Sequence, residues 1–98
     1  MNQINLNAVQ DHKVLHFYYK NHKQVVKPYV YGREKKTGHE ALYGRQTGGT
    51  SQTGKLPGWR LFHFSDISRL EVTDIVFIAP SVVRGLSSSK MSQIYASA

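Results

Sequence analysis

Gly49 to Lys55 spells G-x-x-x-x-G-K, the phosphate-cradling pattern of nucleotide-binding loops short of its final Ser or Thr. Such a loop needs a hydroxyl after the lysine for magnesium and a helix beginning there, whose first amides hold phosphate. Here Leu56-Pro57 follows Lys55, and proline turns the residue before it away from helical geometry. Trp59 to Phe64 (WRLFHF) then reads as a strand. An NTPase also requires a parallel sheet with crossover helices, for which a 98-residue chain has little room. The stretch is therefore read as a long connection between antiparallel strands, with glycine amides that can offer an anion a nest.

Other residues suit anion recognition better. Arg60 has the planar fork that grips phosphate or carboxylate, with Trp59 and Leu61 beside it on the strand to fix its direction; an ion pair with Asp66 or Glu71 is the competing use. Tyr43 and Arg45 share a strand face at period two, setting a stacking surface beside a charge as single-strand binders do. Lys27, Tyr29 and Tyr31 interleave in the same manner on the preceding strand, and His63 stands near Arg60 as a protonatable neighbour. Half-buried packing and solvated strand surface are the competing readings for these. The ligand-binding set is thus Arg60, Arg45, Tyr43, Lys27, His63 and Tyr31.

Catalytic and metal chemistry find little footing. His12 and His16 are four apart, but the predicted helix ends near Lys13, so they share no helical face, and there is no cysteine to supply a thiolate. Ser87-x-x-Lys90 has a serine-lysine spacing without its companion motifs, in a Ser-rich segment. No catalytic residue, no metal and no cofactor is expected, and the chain is read as a non-enzyme.

These residues need a scaffold. Apolar residues make up 40% of the chain and are spread along it, so one small globular domain is expected. Asn5 to Lys13 reads as a short helix with Asn5 as N-cap. Five strands follow: Val14 to Tyr19, Lys23 to Tyr31, Glu40 to Gln46, Trp59 to Phe64 and Arg69 to Val72. The first puts Leu15, Phe17 and Tyr19 on one side and Val14, His16 and Tyr18 on the other. Pro28 marks an edge, a bulge or a break in the second. The fold class is mainly β (α+β), a small curled antiparallel barrel with a short N-terminal helix. Residues 1–80 form the domain. Residues 81–98 are a Ser-rich segment in which Ser89 to Ser97 forms a short docking helix, with Met91 and Ile94 or Tyr95 on one side.

The ordered set of F-Y-Y (Phe17 to Tyr19), V-V-x-P (Val25 to Pro28), Y-G (Tyr31, Gly32), L-Y-G-R-Q (Leu42 to Gln46), L-P-G-W-R-L-F (Leu56 to Phe62) and D-I-x-x-L-E-V (Asp66 to Val72) resembles the WYL domain, in particular short stand-alone WYL-like proteins of bacteria and phages. The resemblance spans about residues 5–80. It implies an Sm-like, SH3-type barrel acting as a ligand-sensing or regulatory module, with nucleic acids or nucleotide-like anions as proposed ligands. Arg60 and Phe62 match the family's R-x-F pattern. Glu40-Ala41-Leu42 stands where the family carries Trp-Tyr-Leu, so Leu42 alone matches there.

Thirteen Lys and Arg against six Asp and Glu give a net charge of +7, a field that draws anions. The cations are dispersed, so folding must assemble any basic surface. No apolar run approaches the roughly 18 residues of a spanning helix, and the polar start resembles no signal peptide. A soluble cytoplasmic protein without a membrane partner is expected. Its function is expected to be recognition of a nucleic acid or nucleotide-type anion. The alternative is a protein-protein interaction or self-association module, as a homo-oligomer or on a larger protein partner, without a nucleic-acid ligand.

Overall fold

The computed structural model describes residues 3–49, 56–78 and 91–98. In chain order these form helix α1 (Gln3–Gln10), strands β1 (Lys13–Tyr19), β2 (His22–Glu34), β3 (Glu40–Gly49) and β4 (Gly58–His63), a single 3-10 turn (Phe64–Asp66), β5 (Ile67–Val76) and β6 (Met91–Ser97). All pairings are antiparallel, in the order β4-β3-β2-β1-β5, with β6 also on β2.

β1 and β2 meet at a two-residue turn. Tyr19 lies opposite His22, and Lys20 and Asn21 between them have φ of 51° and 70°, the left-handed pair whose twist matches that of the flanking strands. β2 is 13 residues long and changes partner on one edge. Its first part, His22 to Val26, pairs with β1, and its last, Val30 to Glu34, pairs with β6. Pro28 sits at the changeover, beside a bulge. From Pro28 to Val30 the strand advances two residues while β3 retreats one, from Gly44 to Tyr43, so Tyr29 is extra.

That extra residue reverses the alternation. Val26 belongs to the inner core, Val30 to the outer cluster and Tyr31 to the inner core again. Strict period two would have kept Val26 and Val30 together and placed Tyr31 with Lys27 on a ligand face. Tyr31 is instead fully buried at 0% exposure, its hydroxyl donating to Glu40 Oε2 at 3.0 Å.

The inner core joins Ala8 and Val9 of α1 to Leu15, Phe17, Val26, Tyr31, Leu42, Phe62 and Ala96, which come from five strands. It forms because the sheet rolls. β1 and β4 are three steps apart on the strand path, about 14 Å in a flat sheet, yet the rings of Phe17 and Phe62 lie edge to face at 5.0 Å. The ring of Tyr19 packs edge-on against Phe62 at 5.1 Å, and its hydroxyl accepts the His63 N–H at 3.2 Å. Among the described residues the roll stays open, because the strand path ends at β4 and β5 with no ladder between them.

Two expected helical features differ. α1 begins at Gln3, so Asn5 lies inside it at 0% exposure and is no N-cap. The helix expected over Ser89 to Ser97 is replaced by β6, a sixth strand running from Met91 opposite Glu34 to Ser97 opposite Val30. Gly32 permits this approach, since a Cβ there would collide with the Gln93 carbonyl oxygen and reach the Ile94 Cα at 3.1 Å. Pairing with β2 overrides the helical spacing of Met91, Ile94 and Tyr95. Among the described residues no helix is long and apolar enough to cross a membrane.

Candidate basic-aromatic ligand face

On the outer side of the sheet, Lys27 of β2 lies opposite Arg45 of β3, which lies opposite Trp59 of β4. Residues directly opposite in antiparallel strands project to the same face, so the three form one cross-strand row. Tyr43 is two residues from Arg45 on β3 and shares that face. Its ring stacks on Trp59 with an interplanar angle of 4° and centroids 5.4 Å apart. The Arg45 guanidinium lies 5.6 Å from the Trp59 ring, a cation against a π face.

The bulge residue Tyr29 completes the group, edge-on to Trp59 at 4.7 Å and stacked on Phe77 at 5.3 Å. His12 continues the line, its ring 5.6 Å from that of Phe77. The outer face therefore carries a continuous run of rings from His12 to Tyr43, with Trp59 standing proud at 39% exposure. Tyr29 and Tyr43 form its floor, at 4% and 3%. Burial pushes both phenols above their ordinary pKa of 10.0, with the positive charge of Arg45 opposing the shift at Tyr29. Among the described residues neither Lys27 nor Arg45 is in an ion pair, which leaves both cations for a ligand.

Arg60 goes elsewhere. It is the residue after Trp59 on β4, so it projects to the opposite side. There it lines a cleft of ≈ 270 Å³ with Tyr19, Lys20, His22, Gln24, Leu61 and Phe62. His63 lies opposite Ala41 at the far end of β4, about 13 Å along the strand from Trp59. Its Nε2 is 3.8 Å from Glu34 Oε1, which also accepts from the Thr37 hydroxyl at 2.8 Å, and its ring is 6.4 Å from that of His39. Of the six residues expected to bind ligand, the fold gathers Lys27, Tyr43 and Arg45, sets Arg60 and His63 apart, and encloses Tyr31 in the core. Thr50 to Lys55, Ser87 and Lys90 lie outside the described residues. On the C-terminal side of the G-x-x-x-x-G-K stretch the chain enters the antiparallel strand β4, where a phosphate loop needs a helix.

Trp59 and Phe77 are the members that sequence reasoning passes over. Trp59 is read from sequence only as a neighbour orienting Arg60. Its alignment with Arg45 depends on the β3–β4 register, which the intervening loop length leaves open. Phe77 follows β5 directly, and no local pattern ties it to Tyr29. Among the described residues no group of three His, Cys, Asp or Glu side chains is placed to hold a metal ion. No protein-family model, curated protein or solved structure matches the chain.

Proposed function

We propose that this chain is a non-catalytic ligand-sensing or regulatory module that binds a nucleic acid or nucleotide-type anion across its outer face. The observation that carries the reading is the Lys27–Arg45–Trp59 row with Tyr43 stacked beneath the tryptophan. A single strand presents flat bases and a phosphate at each step. A ring partly open to solvent takes a base by stacking, and cations a residue or two away take the flanking phosphates. The packed floor of Tyr29, Tyr43 and Phe77 holds Trp59 in place before ligand arrives, which lowers the ordering cost of binding. The net charge of +7 adds long-range attraction for the same class of ligand.

The scaffold is proposed to be a small barrel of the Sm-like or SH3 type. Support comes from the strand order, the 3-10 turn between β4 and β5, and the Tyr19 bridge across the open seam. This is also the fold implied by the WYL-like motif order.

Trp59 is the chain's one tryptophan, so its fluorescence reports directly on the face. Titration with a short single-stranded oligonucleotide at low salt is expected to quench it saturably. Affinity should fall as salt rises, through counterion release. Unchanged emission with every DNA and RNA oligonucleotide and nucleotide tried at low salt would remove the reading.

A further inference from the structure

Trp59 and its cations occupy one corner of the outer face, and the opposite corner repeats their chemistry. On β2, Lys23, Val25 and Lys27 alternate with the buried Gln24 and Val26, so all three project outward. Lys23 lies opposite Tyr18 of β1, which places that ring on the same face. The Arg69 guanidinium of β5 lies 5.2 Å from the Tyr18 ring, a second cation against a second π face. Tyr18 is half-buried, while Lys23 and Arg69 are exposed. Among the described residues neither of these two cations is in an ion pair.

Arg69 is put there by a bulge. From His16 to Tyr18, β1 advances two residues while β5 retreats three, from Glu71 to Ser68. Leu70 packs against the inner core, so Arg69 is the surplus residue, and its φ is 54°. Bulges re-aim side chains, and residues other than glycine held in the left-handed region gather where a ligand is gripped. The two corners are built alike. Tyr29 is surplus in β2 beside Trp59, and Arg69 is surplus in β5 beside Tyr18.

Between the two cation rows His16 lies opposite Val25, and Val25 opposite Gly48. Gly48 carries no side chain, and a Cβ there would come within 3.3 Å of Val25, so nothing rises from β3 in this middle row. Glu71 closes the row on β5, opposite His16. Its charge steers a polyanion off that edge and toward Lys23, Lys27 and Arg45. Lys23 and Lys27 are about 13 Å apart along β2, and Tyr18 and Trp59 stand in addition three strand steps apart across the sheet. One nucleotide cannot bridge that separation; a strand can.

We propose that Tyr18, Lys23 and Arg69 form a second nucleotide subsite, and that the ligand is a single strand of at least about four nucleotides running obliquely from Trp59 to Tyr18. The inference rests on Trp59 and its cations binding the same strand. Each corner stacks a base and holds the phosphates beside it. A duplex keeps its base faces inside its own stack and offers neither ring a partner.

Oligothymidylates from the dinucleotide to about ten nucleotides test it at low salt, read by Trp59 quenching and by anisotropy of a labelled strand. The longest strand is expected to quench Trp59 and to bind at least about tenfold more tightly than the dinucleotide. Tyr18→Ala with Arg69→Gly, a pair that keeps the left-handed bulge, should lower the affinity of the long strand about tenfold and leave quenching of Trp59 by the dinucleotide unchanged. Circular dichroism checks folding. Should that variant unfold, Lys23→Gln at its exposed position replaces it, and the salt slope of the long strand alone should fall by about 0.7. Dinucleotide quenching as tight as that of the longest strand, a folded variant that binds the long strand unchanged, or equal binding of duplex would each overturn the proposal while the Trp59 reading stands. Silence of Trp59 and no binding at every length would overturn both.

Discussion

Arg45 and Arg60 are neighbours in the β3–β4 ladder, Arg45 opposite Trp59 and Arg60 opposite Gly44, yet they serve opposite sides of the sheet. On the outer side, Arg45 lies against an aromatic floor that fixes the shape of the surface before any ligand arrives. On the other, Arg60 borders a hollow between β4 and the β1–β2 turn. Two guanidinium groups of equal charge thus acquire different surroundings, flat rings in one place and a cleft shared with Lys20 and His22 in the other. Net charge describes neither environment; strand parity and register decide both.

The sharpest way to break this contrast is to empty each side in turn. Phe62, at 2% exposure against Phe17 and Tyr19, supports the inner core. Phe62→Ala is expected to cost about 3–5 kcal/mol in denaturant unfolding. Trp59→Ala, which removes a ring already 39% exposed, should cost only about 1–2 kcal/mol. Equal losses would mean that the outer face is core rather than platform.

Oligonucleotide affinity should divide the two sides the other way. Followed by anisotropy of a labelled strand, Trp59→Ala is expected to lose about 1–3 kcal/mol of binding. Phe62→Leu, if folded, should lose almost none. A weaker effect comes from pH. The buried phenols of Tyr29 and Tyr43 hold their protons above 10.0, so the unfolded chain ionises first. The stability they contribute is complete below pH 10 and is lost as pH rises through their folded values. Tyr43→Phe should flatten that decline, as read by thermal unfolding across the alkaline range. The smallest expected change is in salt dependence. Arg45→Gln should reduce the slope of log affinity against log salt by about one, and Lys27→Gln by a similar amount. Arg60→Gln should leave the slope alone if the outer face is where the strand lies.

Much of this arrangement is legible in the chain. Alternation in VLHFYY separates Leu15 and Phe17 from Val14, and in EALYGRQ it separates Leu42 from Tyr43 and Arg45, as the two clusters show. Local patterning suffices there because neither segment inserts a residue into its alternation. It fails at Tyr31, since a bulge leaves no mark that distinguishes it from an ordinary Pro-containing strand. It fails again at Met91 to Ser97, whose apolar spacing suits a helix until β2 offers a free edge and a glycine for close approach. The platform is half visible. Tyr43 with Arg45 comes from spacing alone, whereas adding Lys27 and Trp59 requires two registers that only the folded sheet sets.

The surplus tyrosine in β2 also works as a phase reset. By resetting the phase midway along a single strand, it uncouples the code for inside and outside upstream of Pro28 from the code downstream. Excising Tyr29 would restore plain alternation from Pro28 through Val30 to Tyr31, leaving Val30 outward and Tyr31 inward, and would take from the outer face the one ring that touches both Trp59 and Phe77.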